Sequence, residues 1–304
     1  MSLIGVDLGG SKISVCVLGD GGELLYCHRE PTPKGDYEAT VALIARLVEG
    51  AEQLQGCKCS VGIGTPGSVS ASTGAMRNCN STCLNDRFLQ RDVESALKRP
   101  VVLANDANCF ALSEAIDGCA AEYSNVFGLI LGTGVGAGYV QSGRLLRGRN
   151  EIAGEWGHNR FPGAHTKSES RSCYCGKKDC IETWLSGPGL ERTYQHALGA
   201  TRTDQQRHRS VEQIVERATA GDDLALRVLS DYQLDLANAI STVINILDPD
   251  AIVLGGGVGQ IPNLVGNLEH TLGDFVFADR VDTVVLSPKF GADSGVRGAA
   301  RLCS

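Results

Sequence analysis

Residues 154–182, GEWGHNRFPGAHTKSESRSCYCGKKDCIE, place His158, Cys173, Cys175 and Cys180 in one loop, with the carboxylates Glu155 and Glu182 near its ends. One imidazole and three thiolates make a closed tetrahedral donor set for Zn²⁺, and a closed set is structural rather than catalytic. The loop has too few apolar residues to hold a shape by burial, so a metal would fix it and with it the two carboxylates. Gly176 in the CxCG turn suits the tight backbone such a loop requires. His158 can give one ring nitrogen to zinc while the other donates to a sugar oxygen or to a neighbouring protein group.

Three glycine-rich turns could receive phosphates. In DLGGSK, Gly9 and Gly10 let successive N–H groups converge on an anion, and Ser11 and Lys12 add a hydroxyl and a charge. Asp7 ends the preceding strand, where a carboxylate can meet Mg²⁺ carried on the same phosphates. GTGVGAG supplies Gly132, Thr133, Gly134, Gly136 and Gly138 between two apolar runs. Strand on both sides argues against a dinucleotide-binding turn, which is followed by a helix. LGGGV, with Gly255, Gly256 and Gly257, leaves room for backbone to approach an adenosine.

Asn105 and Asp106 fall where a strand pattern becomes a helix pattern, a usual place for a side chain that projects into a site. Phosphorylating a sugar hydroxyl needs positioning, charge neutralisation and a carboxylate to accept the proton, and Asp106 is the candidate base. The same position suits a helix N-cap. Sugar hydroxyls need planar polar partners, and Asn80, Asn105, Glu155, His158 and Glu182 supply them.

The elements that would position these groups alternate between strand and helix, which predicts an α/β fold. LIGVDLGGSKISVCVL (3–18) and VFGLILGTGVGAGYV (126–140) both read as strand, glycine turn, strand. Helical spacing covers 38–56, 92–97 and the stretch after Asp106, and a long helix is expected from Asp222 to Leu247. SVGIGTPG and AIVLGGGV read as strands entering turns. A repeated hairpin predicts two similar lobes with a ligand cleft between them, closely joined near Gly118, since no linker composition separates them.

The chain has 304 residues, 42% hydrophobic and 21% charged, with a net charge of −7. That balance describes an ordinary folded protein and argues against nucleic acid as a partner. Twelve cysteines are too sparse for a disulfide scaffold. No run approaches a membrane span and no leader pattern precedes LIGVDLGG, so a cytoplasmic protein is expected. Cys16, Cys27, Cys109 and Cys119 read as small buried apolar residues, and the pair Cys57 and Cys59 as functionless.

DLGGSK, GTPG, ANDANCFALSEA, LGTGVGAG, GEWGHN, CYCGKKDCIE, DPDAIVLGGG and DSGVRGAA occur in an order that resembles the ROK family of sugar kinases, over nearly the whole chain. The resemblance implies two actin-like (ribonuclease H-like) lobes: 1–117 with 292–304, the last helix returning to the first lobe, and 118–291 with the zinc loop. It implies ATP-dependent hexose phosphorylation with Asp106 as base. Gly67, Asn80, Asn105, Asp106, Glu155, His158 and Glu182 would lie on the sugar. Asp7, Gly9, Gly10, Ser11, Lys12, Gly132, Thr133, Gly134, Val135, Gly136, Gly255, Gly256 and Gly257 would lie on ATP. Zn²⁺ on His158, Cys173, Cys175 and Cys180, Mg²⁺ with ATP, and a homodimer are further implications.

NCNSTCLN (78–85) looks most like fructokinases and manno(fructo)kinases, although those often carry Trp where this chain has Cys83. The expected reaction is therefore transfer to the 6-hydroxyl of fructose. VGIGTPG and ANDANCFALSEA also resemble N-acetylglucosamine kinases, so that sugar, or glucose, is the alternative. A repressor is disfavoured by the negative charge and by the few residues before Asp7, and a zinc hydrolase by the closed ligand set. A sugar sensor without catalysis is the rival from another class, against which the intact Asp106 and both hairpins weigh.

Overall fold

A computed structural model describes residues 2–199 and 209–304. The chain is an α/β protein with two five-stranded mixed sheets. It divides into two compact units, one of Met1–Ser124, Gly138–Gly154 and Lys289–Ser304, the other of Asn125–Ala137 and Glu155–Pro288. No helix among the described residues is long and apolar enough to cross a membrane.

The first sheet uses β1 (Leu3–Leu8), β2 (Lys12–Leu18), β3 (Leu24–Pro31), β4 (Ser60–Thr65) and β7 (Val102–Asn105), in the order β3-β2-β1-β4-β7. β1 pairs antiparallel with β2 across the first glycine turn and parallel with β4. A short ribbon, β5 (Ser68–Val69) with β6 (Met76–Arg77), follows β4. Helix α1 (Tyr37–Gln55) starts where Asp36 accepts from the Ala39 N–H at 2.9 Å and ends at Gly56, whose φ is +70°. Its buried stripe of Val41, Ile44, Leu47 and Val48 packs in one core with Ile4, Val6, Val15 and Ile63. Burial of each such side chain contributes roughly 1.5–3 kcal/mol. Helix α2 (Leu89–Leu97) adds Leu89, Val93 and Leu97.

Helix α3 (Asp106–Ile116) leaves β7 directly. The last helix, labelled α9 (Ser294–Arg301), lies against β1, β4 and α3 at a separation only glycine allows. A Cβ on Gly62 would sit 1.9 Å from the Ala299 carbonyl oxygen, and one on Gly298 1.6 Å from that of Cys109. The return of this helix to the first unit is anchored by buried Glu114 of α3. Its carboxylate accepts from the N–H groups of Cys119, Lys289 and Phe290 and from Ser294 Oγ at 2.7 Å.

The second sheet has the order β10-β9-β8-β11-β12, from β8 (Asn125–Leu131), β9 (Val135–Gln141), β10 (Arg144–Leu145), β11 (Ala251–Gly255) and β12 (Val284–Leu286). Helices α4 (Ile181–Leu185), α5 (Gly187–Ala197), α6 (Val211–Thr219), α7 (Asp223–Leu247) and α8 (Leu264–Thr271) belong to the second unit. Asp222 caps α7, which buries Val228, Tyr232, Leu236, Ile240 and Ile244, and the Tyr232 hydroxyl reaches the Leu185 carbonyl at 2.8 Å.

Cys16 and Cys109 are buried, whereas Cys27, expected inside, is exposed and Cys119 half-buried. β3 is the edge of its sheet and mostly solvent-facing, so apolar character at position 27 does not bring burial.

Candidate functional site

In the first unit, the glycine turn of DLGGSK closes with the Gly9 N–H on the Lys12 carbonyl at 3.1 Å. Thr32 holds its outer side, donating from Oγ1 to the Gly9 carbonyl at 2.7 Å and from N–H to that of Ser11 at 3.0 Å. Ser81 Oγ lies 3.4 Å from where a Cβ on Gly10 would be, so the NCNSTCLN segment stands beside this turn. Asn85 braces that segment through both backbone groups of Cys79, at 2.9 and 3.1 Å. Gly67 is required beside it, since a Cβ there would meet Cys79 Sγ at 2.6 Å. Asn80 is exposed, and Cys83 packs against the core of this unit.

Asn105, rather than Asp106, is the N-cap of α3, accepting from the Ala107 N–H at 2.9 Å. Asp106 is the first helical residue and exposed, with Oδ1 sharing the same N–H at 2.8 Å. Its charge bears on both Cys79 and Cys109, and that of Asp7 on Cys109. Asp7, Asp106 and the 79–85 segment therefore converge within one unit. Burial pushes the Asp7 carboxyl above the ordinary aspartate range, against the pull of Lys12 and Arg29.

In the second unit, the donor atoms of His158, Cys173, Cys175 and Cys180 lie within 4.8 Å of one another. Cys175 and Cys180 are 3.6 Å apart between sulfurs, as are Cys173 Sγ and His158 Nδ1. Tetrahedral zinc with sulfur at ~2.3 Å and nitrogen at ~2.0 Å requires about 3.5–3.8 Å between donors. The set therefore fits a fully protein-bound zinc. The knuckle is closed by the Cys173 N–H on the Lys177 carbonyl at 2.9 Å, with Gly176 at φ +87°. Burial raises the Cys175 thiol, but the Lys177 N–H, the neighbouring sulfurs and the Lys177 charge more than offset this and leave it below its ordinary range.

Arg171, which sequence reasoning passed over, holds the loop from below. It is 1% exposed, donates from Nη1 to the carbonyls of Thr183 and Gly189 at 2.8 and 2.9 Å, and lies 3.7 Å over the Trp184 ring. Asp179 receives the Arg171 N–H at 2.7 Å. An isolated arginine in a polar loop carries no sequence signal, because its partners, two backbone carbonyls and the side chains of Glu169 and Thr193, follow no spacing rule.

His158 presents Nδ1 to the sulfurs, and its Nε2 meets the Tyr174 hydroxyl at 3.0 Å instead of standing open. The Tyr174 phenol is pushed up to about 12, by desolvation from its neighbours first and then by the charges of Glu182, Cys173 and Glu155. Glu155 opens the 3-10 turn Glu155–His158, and buried Trp156 fixes that turn, donating to Thr242 Oγ1 at 3.4 Å. Glu182 lies in the first turn of α4, two residues after Cys180. Its Oε2 accepts the Val135 N–H at 3.0 Å, so this donor of the second glycine turn is already engaged. The Gly132 N–H closes the turn on Gly134 O at 2.9 Å. At LGGGV, β11 ends in Gly255 and Gly256 takes φ +82° against the end of β8, while a Cβ on Gly257 would meet nothing within 4 Å.

The ROK family profile matches residues 3–304. The chain is 37% identical over 305 aligned residues to an N-acetyl-D-glucosamine kinase of Pasteurella multocida, with 98% of each chain covered. Among solved structures it is similar to a ROK hexokinase from Thermus thermophilus, at 32% identity and a TM-score of 0.86, covering 99% of this chain and 97% of that one. A ROK glucokinase from Streptomyces griseus, solved with glucose and AMPPNP, matches at 28% identity and a TM-score of 0.79, with 99% of each chain covered. The two-lobed actin-like fold of these structures is the fold of this chain. The chain belongs to the ROK family, as a sugar kinase of that family.

Proposed function

We propose that the protein transfers the γ-phosphoryl group of ATP to the 6-hydroxyl of N-acetylglucosamine. The observation that carries the choice of sugar is the 37% identity to the Pasteurella multocida N-acetyl-D-glucosamine kinase over 98% of both chains. Fructose, the first expectation, rested on NCNSTCLN alone, whereas the likeness over the whole chain is to N-acetyl-D-glucosamine kinases. Cys83, the residue of that segment at odds with fructokinases, packs against the core, so it is a weak guide to the sugar.

In this reading Asp106 accepts the proton of the sugar hydroxyl as its oxygen bonds to the γ-phosphorus and the bond to the bridging oxygen of ADP breaks. Lys12, Ser11 and the N–H groups of the glycine turns other than those of Gly9, Gly132 and Val135, which are already bonded within the protein, would hold the phosphates. Mg²⁺ bound with ATP supplies charge neutralisation, with Asp7 the carboxylate placed to receive it. Asn105 uses its amide oxygen as the helix cap, so the amide N–H₂ is the group it offers a sugar oxygen. His158, Cys173, Cys175 and Cys180 would hold the zinc, and a loop so fixed would keep Glu155 and Glu182 in place.

The test is ADP release from Mg-ATP with N-acetylglucosamine, glucose, mannose and fructose offered separately. N-acetylglucosamine is expected to give the highest kcat/KM. A lead for fructose would restore the first expectation, and silence with all four while sugar still binds would sink the N-acetylglucosamine reading in favour of a sensor or of another sugar substrate.

A further inference from the structure

We propose that Tyr174 is a positioning residue of the sugar site that acts through His158. The inference rests on the zinc and kinase readings above. Tyr174 is 75% exposed, so the apolar core does not hold its ring in place. Its hydroxyl is 3.0 Å from His158 Nε2, and the two rings meet edge to face with centroids 5.2 Å apart. With Nδ1 given to the metal, the ring proton stands on Nε2, and the phenol oxygen is the acceptor that meets it. Nδ1 lies 3.6 Å from Cys173 Sγ, on the side of the metal ligands, and the Nε2–H to phenol bond holds the ring in that orientation.

The arrangement closes on itself. Tyr174 sits between two of the cysteines, so a metal that draws Cys173 and Cys175 together fixes the phenol, and the phenol fixes the imidazole that completes the ligand set. His158 and Glu155 share one 3-10 turn, so rotation of the imidazole moves the turn that carries Glu155. Without the hydroxyl, Nε2–H would turn to water and the imidazole would be held by the metal alone.

Tyr174→Phe removes the oxygen and keeps the ring. The measurements are zinc content, the rate at which zinc passes to a chromophoric chelator, and the KM values for N-acetylglucosamine and ATP. Loss of a hydrogen-bond partner behind a metal-bound histidine costs about 10–100-fold in metal affinity or activity. Zinc release at least ~10-fold faster is therefore expected, with a sugar KM that rises by a larger factor than kcat falls and an ATP KM close to wild type. Thermal unfolding of the zinc-loaded variant near the wild-type midpoint would separate this from misfolding.

Zinc release at the wild-type rate would overturn the proposal, as would equal changes in the two KM values. A wild-type protein that takes up no zinc would overturn it together with the metal site. Failure of the kinase reading alone would leave the chelator experiment to decide.

Discussion

Glu182 joins the zinc loop to the second glycine turn, since its Oε2 takes the Val135 N–H at 3.0 Å while its backbone lies in the first turn of α4, two residues after Cys180. A residue expected on the sugar is thus bonded to one expected on ATP. A Cβ on Gly134 would approach the same oxygen to 2.7 Å. Gly134→Ala is therefore predicted to displace Glu182 as well as crowd the turn. A rise in sugar KM of about tenfold corresponds to about 1.4 kcal/mol, the scale of one charged hydrogen bond. Steady-state kinetics with each substrate varied checks this, and an effect confined to the ATP KM would refute the link.

Asp106 begins α3 beside Asn105, which already caps the helix, so its carboxylate is not needed as the cap. Asp106→Ala should lower kcat by about 10²–10⁴, the usual contribution of a general base, and leave sugar affinity within a few-fold of wild type. Calorimetric binding together with a coupled ADP assay measures both. Turnover at the wild-type level would remove Asp106 from the chemistry.

Zinc removal should act unequally on the two substrates. The four ligands lie between Glu155 and Glu182 in sequence, whereas the first glycine turn is built from β1, β2 and Thr32 in the other unit. Dialysis against a strong chelator is expected to lower the melting temperature and weaken sugar binding, with nucleotide binding to the same sample less affected. Equal loss of both, or no loss of either, would contradict the role assigned to the loop.

Glu114 tests the anchoring of the C-terminal helix. Four donors converge on a carboxylate with no exposed surface, three of them backbone N–H groups that an alanine would leave without this acceptor. Glu114→Ala strands these donors, each worth roughly 1–3 kcal/mol when left unpaired, so destabilisation of several kcal/mol is predicted. Glu114→Gln keeps an acceptor and should cost less. Denaturant unfolding ranks the three proteins, and an alanine variant as stable as the glutamine variant would show that the donors find other partners.

Features that repeat or cluster were legible in the sequence. The two hairpins, the change from strand to helix at Asn105 and Asp106, and the ligand set His158, Cys173, Cys175 and Cys180 announce themselves by spacing. Glu114, Arg171, Thr32 and Asn85 do not, because each is a single polar side chain that bonds backbone groups brought to it only by the fold. Gly62 and Gly298 look like ordinary strand and helix residues until α9 is seen lying on the sheet. The sequence allows Nε2 of His158 either a sugar or a protein partner, and the fold of the loop brings Tyr174 to it.

Asp7 should trade stability for function in a way that pH reveals. Burial raises its carboxyl above the ordinary aspartate value of ~3.9, so the folded chain holds this proton more tightly than the unfolded chain. Its contribution to stability is therefore complete below that value and is lost as pH rises through the folded value, leaving a buried charge with only Lys12 and Arg29 to offset it. Asp7→Asn removes that cost, so the variant should melt higher than wild type near neutral pH, and the difference should shrink toward acid. Its turnover should fall, because the carboxylate proposed to face Mg-ATP is gone, and added Mg-ATP should raise the melting temperature of wild type more than that of the variant. Melting curves across the acid-to-neutral range, with and without Mg-ATP, measure both effects. An asparagine variant that melts lower at neutral pH would mean that the cations, rather than burial, dominate at this site.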